Sequence, residues 1–174
     1  MTRMVRMKSL VLVALVALTF VLAPMPAAAK KPDVVVNGGG QAILTDLSDP
    51  DLAQYPIQFA IAGVVAGDGS ARGHIDFNFH GEFARVWGAE PDATDMFRIS
   101  GQVSSGYVEA DGTIVLEGWV TETDFRHGDG VILRVDDPFV IKTGGSYGSD
   151  SFLLQWCLLP EWLVDVPGGT LHIH

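Results

Sequence analysis

The chain has 174 residues, with 11 Lys and Arg against 21 Asp and Glu, a formal net charge of −10. That length suits one ordinary domain with a real core. The acidic balance excludes a nucleic-acid surface built on clustered Lys and Arg, and a lone cysteine, Cys157, excludes an internal disulfide.

Residues 1–29 read as a secretory signal peptide. Arg3, Arg6 and Lys8 form a basic start, residues 9–22 form an apolar run, and Pro24 and Pro26 end it before the small residues Ala27, Ala28 and Ala29. The run is shorter than the about 20 residues a membrane span needs. Cleavage near Ala29 predicts a single mature domain, residues 30–174, that is secreted or periplasmic and has no transmembrane span. Losing Arg3, Arg6 and Lys8 leaves eight basic residues against 21 acidic ones, a net charge of −13. Such a surface keeps an exported protein soluble and attracts cations.

The mature chain is rich in strand signals. Residues 34–44, VVVNGGGQAIL, read as a first strand with a bulge or sharp bend at Gly38, Gly39 and Gly40. They do not form a dinucleotide fingerprint, because the G-x-G-x-x-G spacing fails and no helical period follows. Residues 45–55, TDLSDPDLAQY, form a loop long enough for a helical turn. Alternation then marks strands around Ile57–Phe59–Ile61, Ile75–Phe77–Phe79, Phe97–Ile99–Gly101–Val103 and Ile114–Leu116–Gly118–Val120. Residues 132–135 and 139–141 read as short apolar strands. AGDGS (66–70), EADGT (109–113), HGDG (127–130) and GGSYG (144–148) are turn clusters in which glycine supplies the positive φ of hairpin turns. The pattern predicts an all-β domain, a single antiparallel barrel or sandwich of about eight to ten strands. Gly168 and Gly169 repeat the glycine device near the end, so the first and last strands are expected to meet and help close the sheet.

Several residues could carry chemistry. His74, Asp76, Asn78 and His80 share one face of the 73–81 strand and are the binding candidates, together with Trp119, which alternates opposite Ile114-type positions. Same-face neighbours lie about 7 Å apart along a strand, so His74 and Asp76 could share a metal ion. His172 and His174 in the terminal TLHIH offer a second pair of ligands. They would converge with His74 if the last strand paired with the 73–81 strand. No cofactor is expected, and a divalent metal is the one these residue types would accommodate. Asp46, Asp49 and Asp51, and Asp136 with Asp137, supply oxygen ligands but match no EF-hand spacing. Ser146 in GGSYG, followed by Asp165 and His172, mimics a hydrolase order. A nucleophile elbow, however, joins a strand to a helix, and SDSFLLQW reads as a strand. No catalytic residue is assigned. Cys157 reads as a small buried hydrophobe, with an intermolecular disulfide as the alternative. Of Trp87, Trp119, Trp156 and Trp162, the apolar run around Trp156 places that ring in the core, and exposed rings would stack on sugars.

The order VNGGGQAIL, IQFAIAG, GHIDFNF, SDSF and terminal GGTLHIH resembles the post-COAP-type domains, small all-β domains of secreted bacterial proteins. The resemblance covers nearly all of the mature chain. It departs in the middle, where the family's aspartate-rich D-x-G-x-P-G turn appears only as VDDPF. It implies an extracellular β module and a bacterial source, and no reaction. The leading expectation is therefore an exported, non-catalytic domain that binds or decorates a surface, with carbohydrate or another cell-surface component as partner. The alternative is a small barrel with a ligand-binding or metal-dependent catalytic pocket lined by the polar face of strand 73–81.

Overall fold

The computed structural model describes residues 31–46, 55–80, 96–124, 133–156 and 161–174. Among the described residues, eight strands follow one another: β1 (Val34–Asp46), β2 (Tyr55–Val65), β3 (Ser70–His80), β4 (Met96–Val108), β5 (Thr113–Thr123), β6 (Pro138–Gly144), β7 (Ser151–Trp156) and β8 (Trp162–Ile173). Each pairs antiparallel with its neighbours in sequence, and β8 pairs back onto β1, so the sheet is a closed up-and-down barrel. Closure removes the unpaired edges that an open sheet would expose. Lys31–His174 forms one compact unit. Among the described residues, no helix is long and apolar enough to cross a membrane.

Alternation decides which side chains fill the barrel. On β2, Tyr55, Ile57, Phe59, Ile61, Gly63 and Val65 are buried, while Gln58, Ala60, Ala62 and Val64 face outward. The interior is packed with rings: Phe59 lies 5.2 Å from Phe152 and Phe77 lies 5.6 Å from Trp156, centroid to centroid. Phe139 packs edge-on to Trp156 at 5.9 Å. Glycines make room for them. A Cβ on Gly101 would lie 2.6 Å from the Phe139 ring, and one on Gly118 would lie 2.7 Å from it. The bulk of Phe139 is thus accommodated by two inward positions on β4 and β5 that carry no side chain.

The first and last strands meet as expected. Gly40 pairs with Gly169 and Gln41 with Gly168, and a register irregularity follows between Gln41 and Ile43. From Gln41 to Ile43, β1 advances two positions while β8 runs from Gly168 back to Asp165, so the extra residue sits on β8, around Pro167, rather than on β1. Gly40 itself has φ 136°. The seam is tight: a Cβ on Gly38 would lie 2.6 Å from Leu171 Cδ1 and 2.7 Å from the Thr170 carbonyl oxygen.

Tight turns follow the Asp-Gly signals. In the β2–β3 turn, Asp68 accepts from the Ser70 amide and hydroxyl, and Gly69 has φ 89°. In the β4–β5 turn, Asp111 accepts from the Thr113 amide and hydroxyl in the same way. The expected strand at 132–135 is a correction. Leu133 is buried, but Val135 is 55% exposed, Asp136 has φ 72°, and the Asp137 carboxylate accepts from the Arg134 amide. Val135 belongs to a turn in which the Asp137 amide donates to the Arg134 carbonyl, Ile132 lies outside the described residues, and β6 begins only at Pro138. The 45–55 expectation lies largely outside the described residues, because β1 runs on to Asp46 and β2 starts at Tyr55.

Candidate functional site

Register turns the barrel exterior into rows. Asn37, Ala62, His74, Gln102 and Trp119 lie side by side across β1 to β5. Beside them run Gly39, Ala60, Asp76 and Ser100, and then Gln41, Gln58, Asn78 and Arg98. The floor over β2 is low because Ala60 and Ala62 are small, while β1 and β3 carry longer polar side chains. Two shallow grooves follow from this relief. One, of about 340 Å³, is lined by Gln41, Gln58, Ala60, Asp76 and Asn78. The other, of about 410 Å³, is lined by Asn37, Ala62, Arg72, His74 and Gln102.

The first groove has a built carboxylate. Asp76 Oδ1 accepts from Arg98 Nη2 at 2.6 Å, from Arg98 Nε at 3.2 Å and from Ser100 Oγ at 2.5 Å. Both partners come from β4, one residue apart in alternation, and both point outward as Asp76 does. Partial burial pushes the Asp76 carboxyl up. The hydrogen bonds from Ser100 and Arg98, with the Arg98 charge, outweigh it and hold the group below the usual carboxylate range. The Arg98 guanidinium is raised in return by the same hydrogen bond and charge. Arg98 is anchored from behind, since its amide donates to Asp124 Oδ1 and its carbonyl accepts from the Asp124 amide. In the second groove, Gln102 Nε2 donates to the Gly73 carbonyl at 2.8 Å, which fixes its amide across β3.

The binding candidates named from the sequence are partly assembled here. Asp76 and Asn78 line one groove and His74 the adjoining one, while the side chain of His80 lies outside the described residues. Trp119 is outward and 43% exposed, two places along the row from His74. Trp156 and Trp162 are core residues, and Trp87 and Cys157 lie outside the described residues. The polar face of β3 does not line a lumen. It lies on the outside of a barrel whose interior is filled by Phe59, Phe77, Phe139 and Phe152.

The histidines do not converge. The last strand pairs with β1 and β7, not with β3, so β1 and β2 stand between His172 and His74. That separation is three strand spacings of about 4.8 Å each. Instead, His172 and His174 stack on each other with centroids 5.9 Å apart and planes 15° from parallel. Among the described residues, no three His, Cys, Asp or Glu side chains gather around a point that would hold a metal ion. Of the acidic clusters, Asp137 is used in a turn and Asp136 provides its positive-φ corner, and Asp49 and Asp51 lie outside the described residues.

Ser146 is placed by an acceptor. Its Oγ donates to Asp111 Oδ2 at 2.7 Å, and the surrounding Gly145–Tyr147 is a short 3-10 turn between β6 and β7. No strand-to-helix elbow exists there. Sequence reading missed Arg98 and Ser100 as partners of Asp76. The available signal was their alternation with Phe97, Ile99 and Gly101, which marks them as outward but does not say which strand they face. No family model, curated protein or solved structure matches the chain.

Proposed function

We propose that the protein is an exported, non-catalytic module that binds carbohydrate on the outer face of β1 to β5. One observation carries the reading: Asp76 is fixed by Arg98 and Ser100 in a shallow groove whose other polar groups are the amides of Gln41, Gln58 and Asn78. Sugar hydroxyls both donate and accept. A fixed carboxylate takes their donors, and side-chain amides serve them either way. Among the described residues, the hydrogen bonds to Asp76 all end on Oδ1, which leaves Oδ2 to accept from a ligand. The low floor at Ala60 and Ala62 lets a flat ring approach the sheet, and exposed Trp119 at the end of the neighbouring row offers a stacking face.

The same geometry argues against acid catalysis. A carboxyl held below its usual range stays ionised near neutral pH and is a poor proton donor. The resemblance to post-COAP-type domains and the signal-like residues 1–29 support an extracytoplasmic setting. A glycan array read with wild-type protein, Trp119→Ala and Asp76→Asn tests the reading. Retention of a glycan class by wild type, and loss of at least tenfold in affinity in both variants, is expected. Retention unaffected by either substitution, or no retention of any glycan, overturns it.

A further inference from the structure

We propose that His172 and His174 form a binding site for a divalent transition-metal ion, Cu2+ ahead of Ni2+ and Zn2+, on the outer face of β8. The site is separate from the sugar groove and stands whether or not a glycan binds.

Alternation sets the direction of both side chains. Leu171 is buried and Ile173 half-buried, so His172 and His174 both point outward from one strand. Their rings already face each other at 5.9 Å and 15°. Imidazole nitrogens bind such metals at about 2.0–2.1 Å, which places two nitrogens on one ion roughly 3 Å apart. Exposed side chains reach that separation by tilting toward each other, with no movement of the backbone.

The backbone beneath them is fixed. The Val35 amide donates to the His174 carbonyl at 2.8 Å, and the His174 amide donates to the Val35 carbonyl at 3.0 Å. One step further, Leu171 is packed against Gly38 with no room for a Cβ between them. The strand therefore presents two ligands at a set spacing, and little ordering entropy is lost on binding.

The electrostatic setting favours a cation. Directly opposite His172 stands the uncharged Asn37, and opposite His174 stands Val35, so β1 places no Lys or Arg against the pair. The chain as a whole is acidic. Two imidazoles with water completing the shell suit copper, nickel and zinc rather than calcium or magnesium, and copper leads that series for nitrogen ligands.

The test is titration of the untagged protein, as recovered from an exporting host, with CuCl2 at pH 7.5. Calorimetry gives stoichiometry and affinity, and electron paramagnetic resonance counts the nitrogens on the copper. The expected result is one Cu2+ held by two imidazole nitrogens. Affinity should fall at least tenfold in His172→Ala and in His174→Ala and stay within twofold in His74→Ala. Circular dichroism confirms that each variant folds. Wild-type affinity equal to that of the His172→Ala/His174→Ala double variant overturns the proposal, as does a comparable loss in His74→Ala.

Discussion

Arg98 spends two donors on one oxygen of Asp76: Nη2 at 2.6 Å and Nε at 3.2 Å both end on Oδ1. A structural ion pair of the usual fork-to-fork kind would use both carboxylate oxygens. Here the second oxygen is spared, and the Arg98 side chain is 52% exposed. Exposed pairs contribute roughly 0–1 kcal/mol to stability. Arg98→Ala should therefore leave the thermal midpoint within a few degrees of wild type. It should nevertheless cost glycan affinity about tenfold, because Asp76 loses its orientation. Calorimetric melting and isothermal titration on the same variant separate the two effects. A large drop in midpoint would make the pair structural.

The depressed Asp76 carboxyl also sets a pH dependence. Its folded-state value lies below the unfolded one, so its contribution is present above the usual carboxylate range and is lost as pH falls through the lowered value. Asp111, lowered by hydrogen bonds from Ser146 and Thr113, behaves the same way. Wild-type stability should decline as pH falls below about 4. The decline should be shallower in Asp76→Asn and in Asp111→Asn, each of which removes one titrating group. Denaturant midpoints measured from pH 7 to pH 2.5 check this, and equal slopes in all three proteins would contradict it.

Much of the barrel was legible because period-two alternation fixes the face of each residue. Ile75, Phe77 and Phe79 are inside and Asp76 and Asn78 outside, as their sequence requires. Alternation does not name neighbours. Whether His172 faces His74 depends on which strands pair, and the answer lies in the meander order of eight strands rather than in either segment. Nor does it say whether a polar face lines a lumen. That depends on whether rings such as Phe139 and Trp156, supplied from distant strands, fill the inside. The turn at 134–137 was hidden for a local reason. Its Val135 and the Leu133 before it look strand-like, yet the chain reverses through Asp136, a non-glycine residue at positive φ.

The seat beneath Phe139 gives a core prediction. A Cβ at Gly118 would lie 2.0 Å from the Gln102 carbonyl oxygen as well as 2.7 Å from the ring, so backbone must shift as well as side chain. Gly118→Ala should destabilise by about 1–3 kcal/mol or more through overpacking. Phe77→Ala, which instead empties the space beside Trp156, should cost about 3–5 kcal/mol. Urea unfolding followed by tryptophan fluorescence reads both. A neutral Gly118→Ala would mean that β4 and β5 separate without penalty.

Ser146 supplies the sharpest negative test. Its hydroxyl donates to Asp111 Oδ2, whose Oδ1 accepts the Thr113 amide, so serine and threonine are drawn to one carboxylate on the β4–β5 turn. A nucleophilic serine needs a base oriented by a third group and amides aimed at a developing oxyanion. This carboxylate is instead stabilised in its ionised form by the hydroxyl donated to it, and so has little tendency to take the proton. A fluorophosphonate probe should leave Ser146 unlabelled, with labelling no greater than in Ser146→Ala. The same substitution should leave the unfolding midpoint close to wild type, because an exposed hydrogen bond competes with water. Stoichiometric labelling of Ser146 would reverse the reading, because it would require a base that the turn does not provide.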